Sequence, residues 1–223
     1  MTKLSRGDVL VPVMLLLLSV IPMLGGIARL ASLTAPPTAA DVRFFTAPIP
    51  VVLHILGATV YAVLGAFQFS SGFRARWPGW HRRAGKAVAI CGLLTALAGV
   101  WMTARYTIPA DLQGPILYCA RLLVGATLTI GILLAWSSIV RRDFIRHEAW
   151  MIRTYALAQG AGTQALVLSS WLVLSGEAVG VTRDLLMTVA WALNLAFAEW
   201  IIRARRRRVS VVAPQFTLRP SRA

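Results

Sequence analysis

Six apolar runs, each long enough to cross a bilayer, occupy most of the chain, with short arginine-rich turns between them. They are Val9–Leu30, Ile49–Ser71, Ala84–Ala104, Gln113–Val140, Ala149–Ser175 and Thr182–Ile202. A helix needs about 20 predominantly apolar residues to span the hydrocarbon core. Within lipid, only helices and closed barrels satisfy every backbone polar group. Runs of this length therefore predict an all-α integral membrane protein, a bundle of six transmembrane helices in one domain over residues 1–210. Residues 211–223 read as a short disordered tail. Charged residues make up 14% of the chain, against about 25% in a soluble domain.

The net charge of +15 sits in blocks between the apolar runs. That excludes the basic face of a nucleic-acid-binding fold. Of the 23 Lys and Arg, 18 fall at one set of helix ends. These are Lys3, Arg6, the turn from Arg74 to Lys86, the turn from Arg141 to Arg153, and the arginines from Arg203 onward. The other set holds Arg29, Arg43, Arg105, Arg121 and Arg183. Basic residues stay cytoplasmic, so both termini are expected inside, in a bacterial cytoplasmic membrane. An even number of spans agrees. Trp77, Trp80, Trp136, Trp150 and Trp200 near one boundary, with Trp101 and Trp171 near the other, read as an aromatic belt. Only Trp191 falls mid-span.

The first run follows Lys3 and Arg6 and has the outline of a signal peptide. Its apolar length favours a retained span, and Pro12 and Pro22 are kinks that a bundle tolerates. Cys91 and Cys119 lie near opposite faces, too far apart in depth for a disulfide.

Polar residues inside spans carry the functional expectations. His54, Tyr61 and Gln68 recur every seven residues and share one helix face. Arg121 lies inside the fourth run at a depth comparable with His54, where a charge is costly and marks a functional site by default. Gln159, Thr163 and Gln164 could complete a pocket from the fifth run. The competing expectation is that Tyr61 and Gln68 bond neighbouring helices and Arg121 snorkels outward. Asn194 and Glu199 are polar points in the last run, Glu199 paired with a basic loop residue. Arg203, Arg205, Arg206, Arg207 and Arg208 suit anionic lipid headgroups, and equally a stop-transfer signal.

Two basic turns each carry one histidine near a helix start, His81 and His147, ringed by Arg82, Arg146 and Arg153. Both fall at the cytoplasmic end, so they are candidate axial ligands of one haem b. Met151 is an alternative ligand. His54 has no histidine partner at its depth. No Walker loop, zinc-ligand cluster, nucleophile elbow or dinucleotide fingerprint occurs. The carboxylates Asp8, Asp41, Asp111, Glu177 and Asp184 lie at span ends or in loops, which gives paired-carboxylate catalysis little support.

The segments Gly65-Ala-Phe-Gln68-Phe69, His81-Arg-Arg-Ala-Gly85 and His147-Glu-Ala-Trp-Met-Ile-Arg153-Thr-Tyr-Ala-Leu157 resemble the bacterial membrane-protein family termed domain of unknown function 2306. The resemblance runs from about Val51 to Leu168. It implies a small helical inner-membrane protein and supplies no catalytic role; Glu148 departs from a pattern in which a basic residue follows the second histidine. The functional expectation is a non-enzymatic membrane protein with a polar interior site. It would be a haem- or quinone-binding electron-transfer subunit, or else a small-solute carrier or sensor, or a structural or assembly partner.

Overall fold

A computed structural model describes residues 4–38 and 41–212, with side chains through Arg207. The described chain is helical, in nine segments: α1 (Arg6–Ser32), α2 (Val42–Thr46), α3 (Pro48–Gln68), α4 (Ser71–Arg76), α5 (Pro78–Arg105), α6 (Pro115–Val140), α7 (Phe144–Ala158), α8 (Gly160–Ser175) and α9 (Gly180–Val212). Six units are long and apolar enough to cross a membrane: α1, α3, α5, α6, the pair α7–α8 and α9. α1, α5, the α7–α8 unit and α9 run beyond the expected boundaries, helices continuing through the polar turns on their own caps, whereas α3 ends at Gln68 and α6 starts at Pro115, inside the expected Ser71 and Gln113. The expected tail overlaps α9 at residues 211–212; residues 213–223 lie outside the described part.

The caps explain the starts. Ser5 and Asp8 form a capping box on α1. Pro48, Pro78 and Pro115 open α3, α5 and α6, where a missing N–H costs nothing. Asp143 accepts from the backbone N–H of Arg146 at 2.9 Å to open α7. Between α6 and α7 the chain turns through Arg142, held left-handed at φ 59°. The Asp143 N–H donates to Ser138 O at 2.9 Å and the Arg142 N–H to Ile139 O at 3.0 Å, which is a Schellman motif.

Asp8 also ties the bundle across sequence. Its Oδ1 accepts from the Ser70 and Ser71 hydroxyls, each at 3.1 Å, and from the Gly72 N–H at 2.6 Å. One carboxylate thus caps α1 and fixes the α3–α4 corner. At the opposite end, Asp184 on α9 accepts from the Gly114 N–H at 2.9 Å and the Leu117 N–H at 3.0 Å, stabilising the positive start of α6.

The fifth span is broken where the sequence reads as one run. Helix α7 stops at Ala158, and α8 resumes at Gly160. Two close approaches require glycine there. A Cβ at Gly160 would overlap the indole of Trp191, and one at Gly162 would overlap the carbonyl oxygen of Leu18 on α1. The break redistributes packing. α7 lies against α6, α9 and α3, whereas α8 leaves α6 and packs on α9 and α1.

We call the end where α1 begins and α9 finishes the basic half, and the other the distal half. In the basic half α7 fills the centre: Tyr61, Ala66, Val88, Ala89, Ile132 and Tyr155 form a closed core. In the distal half the neighbours run α1, α3, α5, α6, α9, α8 and back to α1, a ring of six with no helix at its centre. A hollow is the geometric consequence.

Candidate functional site

The hollow is a cavity of about 510 Å³ lined from all six spans, within the roughly 300–1,000 Å³ usual for small-molecule sites. Its walls are mostly apolar. Its polar side chains are a minority: Ser19 on α1, His54, Thr59 and Tyr61 on α3, Thr95 and Thr103 on α5, Arg121 on α6, Tyr155, Gln159 and Gln164 around the break, Arg183 on α9, and Arg43 and Tyr106 at the distal end.

Each polar side chain is oriented by its neighbours. The His54 ring meets the Thr95 carbonyl through Nδ1 at 2.9 Å, which leaves Nε2 as the unassigned ring nitrogen. The Tyr61 hydroxyl, 2% exposed, donates to Thr154 Oγ1 at 3.1 Å. Tyr155 donates to the Ala62 carbonyl at 2.7 Å and accepts from Gln159 Nε2 at 3.0 Å. Gln159 Oε1 lies 3.1 Å from the Ser19 hydroxyl, so the break is pinned to α1. Gln164 Nε2 donates to the Met187 carbonyl at 3.0 Å. Thr163 donates to Asn194 Oδ1 at 2.9 Å, outside the cavity lining.

Arg121 donates to Gln113 Oε1, a neutral partner. His54, Arg43 and Arg183 lie within electrostatic reach of it, as does Asp184. Arg183 Nε is buried with no hydrogen-bond partner. At the mouth, Arg29 and Arg43 stack over Phe44 at 4.3 and 4.6 Å, and Phe44 meets Tyr106 edge-on at 5.3 Å. Arg29 is ion-paired with Asp41. The Thr38 hydroxyl, then the Arg29 guanidinium, hold the Asp41 carboxyl below its usual value. Burial pushes the Tyr106 phenol up; its hydroxyl donates to the Ala47 carbonyl at 2.6 Å.

The fold thus brings His54, Tyr61, Arg121, Gln159 and Gln164 to one cavity and leaves Gln68 out. His54, Tyr61 and Gln68 nevertheless keep one face, meeting Gly99, Gly92 and Gly85 of α5 in turn; Gln68 lies about 21 Å along α3 from His54, at its basic end beyond the cavity. Its Nε2 is buried without a partner. His81, one turn before Gly85, also has a buried, unpartnered Nδ1, and His147 lies within electrostatic reach. His147 Nδ1 meets the Ala135 carbonyl at 3.0 Å.

Those two histidines share the basic half, but α5 and α7 do not pack directly; α6 lies between them. Arg82 and Arg146 are exposed. Arg153 is ion-paired with Glu199 and lies over the Trp150 ring at 5.0 Å, and Met151 packs on the core. Glu148 pairs with Arg205. Arg203, Arg206 and Arg207 are exposed on the last turns of α9; the side chain of Arg208 lies outside the described part. Among the described residues no group of three or more His, Cys, Asp or Glu is placed to hold a metal ion.

Arg43, Arg183, Tyr106 and Trp191 line the cavity without having been singled out as site residues. One signal existed for the arginines. Of the five basic residues outside the basic half's ends, Arg43, Arg121 and Arg183 border the cavity.

The helices and the hollow define a multi-span α-helical membrane protein with an interior cavity. Within that class the chain belongs to the family described as predicted membrane protein (DUF2306), whose model matches residues 51–202. The match takes in α9 as well as the motif-bearing segments and leaves out α1. Neither a curated protein nor a solved structure matches the chain.

Proposed function

We propose that the protein binds a small amphipathic molecule in the distal cavity, as a membrane carrier, sensor or quinone-binding subunit. One observation carries the reading: the broken fifth span leaves a hollow at the centre of the ring, with His54, Arg121, Gln159 and Gln164 on its walls. A packed bundle would close such a space unless something occupied it. His54 and Arg121 would meet carbonyl or anionic oxygens, and the apolar wall would take the body of the ligand. By the distribution of basic residues the distal mouth faces out of the cytoplasm, in a bacterial inner membrane. Thermal-shift screening of quinones and small amphiphiles on the purified protein should find a stabilising ligand. Its effect should vanish in Arg121→Ala; identical shifts in that variant would remove this site.

A haem between His81 and His147 is the second reading, supported by the unpartnered His81 Nδ1. His147 also suits ligation, since a histidine ligand usually gives its other ring nitrogen to a carbonyl. Against it, Val88, Ala89, Ile132 and Tyr155 close the core inward of both rings, and the large cavity lies in the other half. Protein from haem-replete cells would show a Soret band, lost in His81→Ala or His147→Ala, if this reading holds. Colourless protein would end it.

A further inference from the structure

The charge around the cavity is unbalanced. Arg43, Arg121 and Arg183 line it, and no Asp or Glu does. The ion pairs Arg29–Asp41, Arg153–Glu199 and Arg205–Glu148 involve no cavity arginine. Asp184 is the acid within reach of Arg121. Both its oxygens already accept backbone N–H groups at the start of α6; Asp41, within reach of Arg43, is ion-paired with Arg29, so Arg29, Arg43, Arg121 and Arg183 face two acids and two positive charges are left over. Glu177 shares a separate surface depression with Arg183 and makes no ion pair with it.

Arginine does not relieve such a site by deprotonation. Guanidinium groups that outnumber the nearby acids around an apolar cavity are unfavourable without a counter-charge. Arg183 Nε–H, buried and unbonded, is the specific donor left waiting. Guanidinium groups pair best with planar or tetrahedral oxyanions. Beyond the arginines the lining turns apolar through Ile55, Val124 and Leu128.

We infer that the ligand is an amphiphile with an anionic oxyanion head, a carboxylate or phosphate, seated between Arg121 and Arg183, its apolar body against Ile55, Val124 and Leu128. The inference rests on the cavity-binding reading above and sharpens it. It leaves a neutral quinone as the weaker occupant and names Arg183 as the residue that selects charge.

Trp191 lines the same cavity and supplies the readout. Full-length protein in phosphatidylcholine nanodiscs is titrated with ω-bromoundecanoate, ω-bromoundecyl phosphate, ω-bromoundecanol and ω-bromoundecyl trimethylammonium. Bromine quenches a contacting indole, and the Trp191 component is the difference from Trp191→Phe. Both anions should quench it saturably, with the alcohol and the cation at least about tenfold weaker, the scale of one charge-assisted contact. Arg183→Gln should bring the anions down to the level of the alcohol, and Arg183→Lys should keep part of the preference. The better of carboxylate and phosphate identifies the head. Phosphatidylglycerol nanodiscs that block the carboxylate would indicate a lipid phosphate as its source.

Equal quenching by alcohol and anions would leave the cavity standing and overturn the charge inference. So would tightest binding by the cation, or an anion preference unchanged in Arg183→Gln. If no compound reached Trp191, the cavity-binding reading itself would fall. Should Arg183→Gln not fold, the wild-type ligand series together with Arg183→Lys still decides.

Discussion

Substituting Gly162 by alanine should disrupt the seam that closes the cavity. The added Cβ would overlap the Leu18 carbonyl oxygen and come within 2.7 Å of Leu18 Cγ. Carbon atoms rest at about 3.5–4.0 Å, so α1 and α8 must part locally by roughly 1 Å. Such a shift stretches the contacts of Gln159 with Ser19, at 3.1 Å, and with the Leu15 carbonyl, at 3.4 Å. Overpacking costs about 1–3 kcal/mol, and weakening two hydrogen bonds adds about 0.5–1.5 kcal/mol each. A loss of about 2–6 kcal/mol follows. The control is Gly25→Ala on α1, where nothing lies within 4 Å of the new atom; it should gain about 0.5–1 kcal/mol. Equilibrium unfolding in mixed micelles, followed by circular dichroism, measures both. A Gly162→Ala protein within about 0.5 kcal/mol of wild type would refute the close contact of α1 with α8, and with it the ring that encloses the cavity.

Replacing Arg142, held left-handed at φ 59°, by glycine should stabilise the protein by about 1 kcal/mol in the same assay. Asp184→Asn keeps the shape but loses one charged acceptor at the start of α6; a loss of about 1.5–3 kcal/mol is expected, read as a lower unfolding midpoint. Asp41 lies outside the spans with its carboxyl held below the usual value by Thr38 and Arg29. A lowered folded-state value means its contribution is complete above the ordinary carboxylate value and is lost as pH falls through the lowered one. Amide exchange over Val42–Thr46 should therefore quicken in that acid range, and Asp41→Asn should abolish the dependence.

The spans were legible because lipid demands long apolar helices, and the chain writes each as an unbroken run. The break at Gln159 was not. Glycine is common in membrane helices, and Gly160 and Gly162 become a constraint only through Trp191 on α9 and Leu18 on α1. His54 and Arg121 were expected at similar depth, because depth follows from rise per residue, and both line the cavity. Their shared cavity needed the departure of α8 from α6. Gln68 shares the stripe in sequence and in space, along Gly85, Gly92 and Gly99 of α5, and misses the cavity because it lies about 21 Å from His54 along α3. Asp8 and Asp184 read as ordinary residues at span ends; their roles depend on Gly72 and Leu117, more than sixty residues away in sequence. Arg183 looked like a boundary charge until its Nε was found buried without a partner.

Thiol labelling on a background lacking Cys91 and Cys119 tests the hollow most directly. Ala58 and Val124 line the cavity, while Leu56 and Leu123 sit beside them in sequence on outward faces, 53% and 68% exposed. In reconstituted vesicles a water-soluble methanethiosulfonate should modify Ala58→Cys and Val124→Cys when applied from the distal side, and leave Leu56→Cys and Leu123→Cys unmodified in lipid. Equal rates at all four positions would contradict a cavity at the centre of the ring.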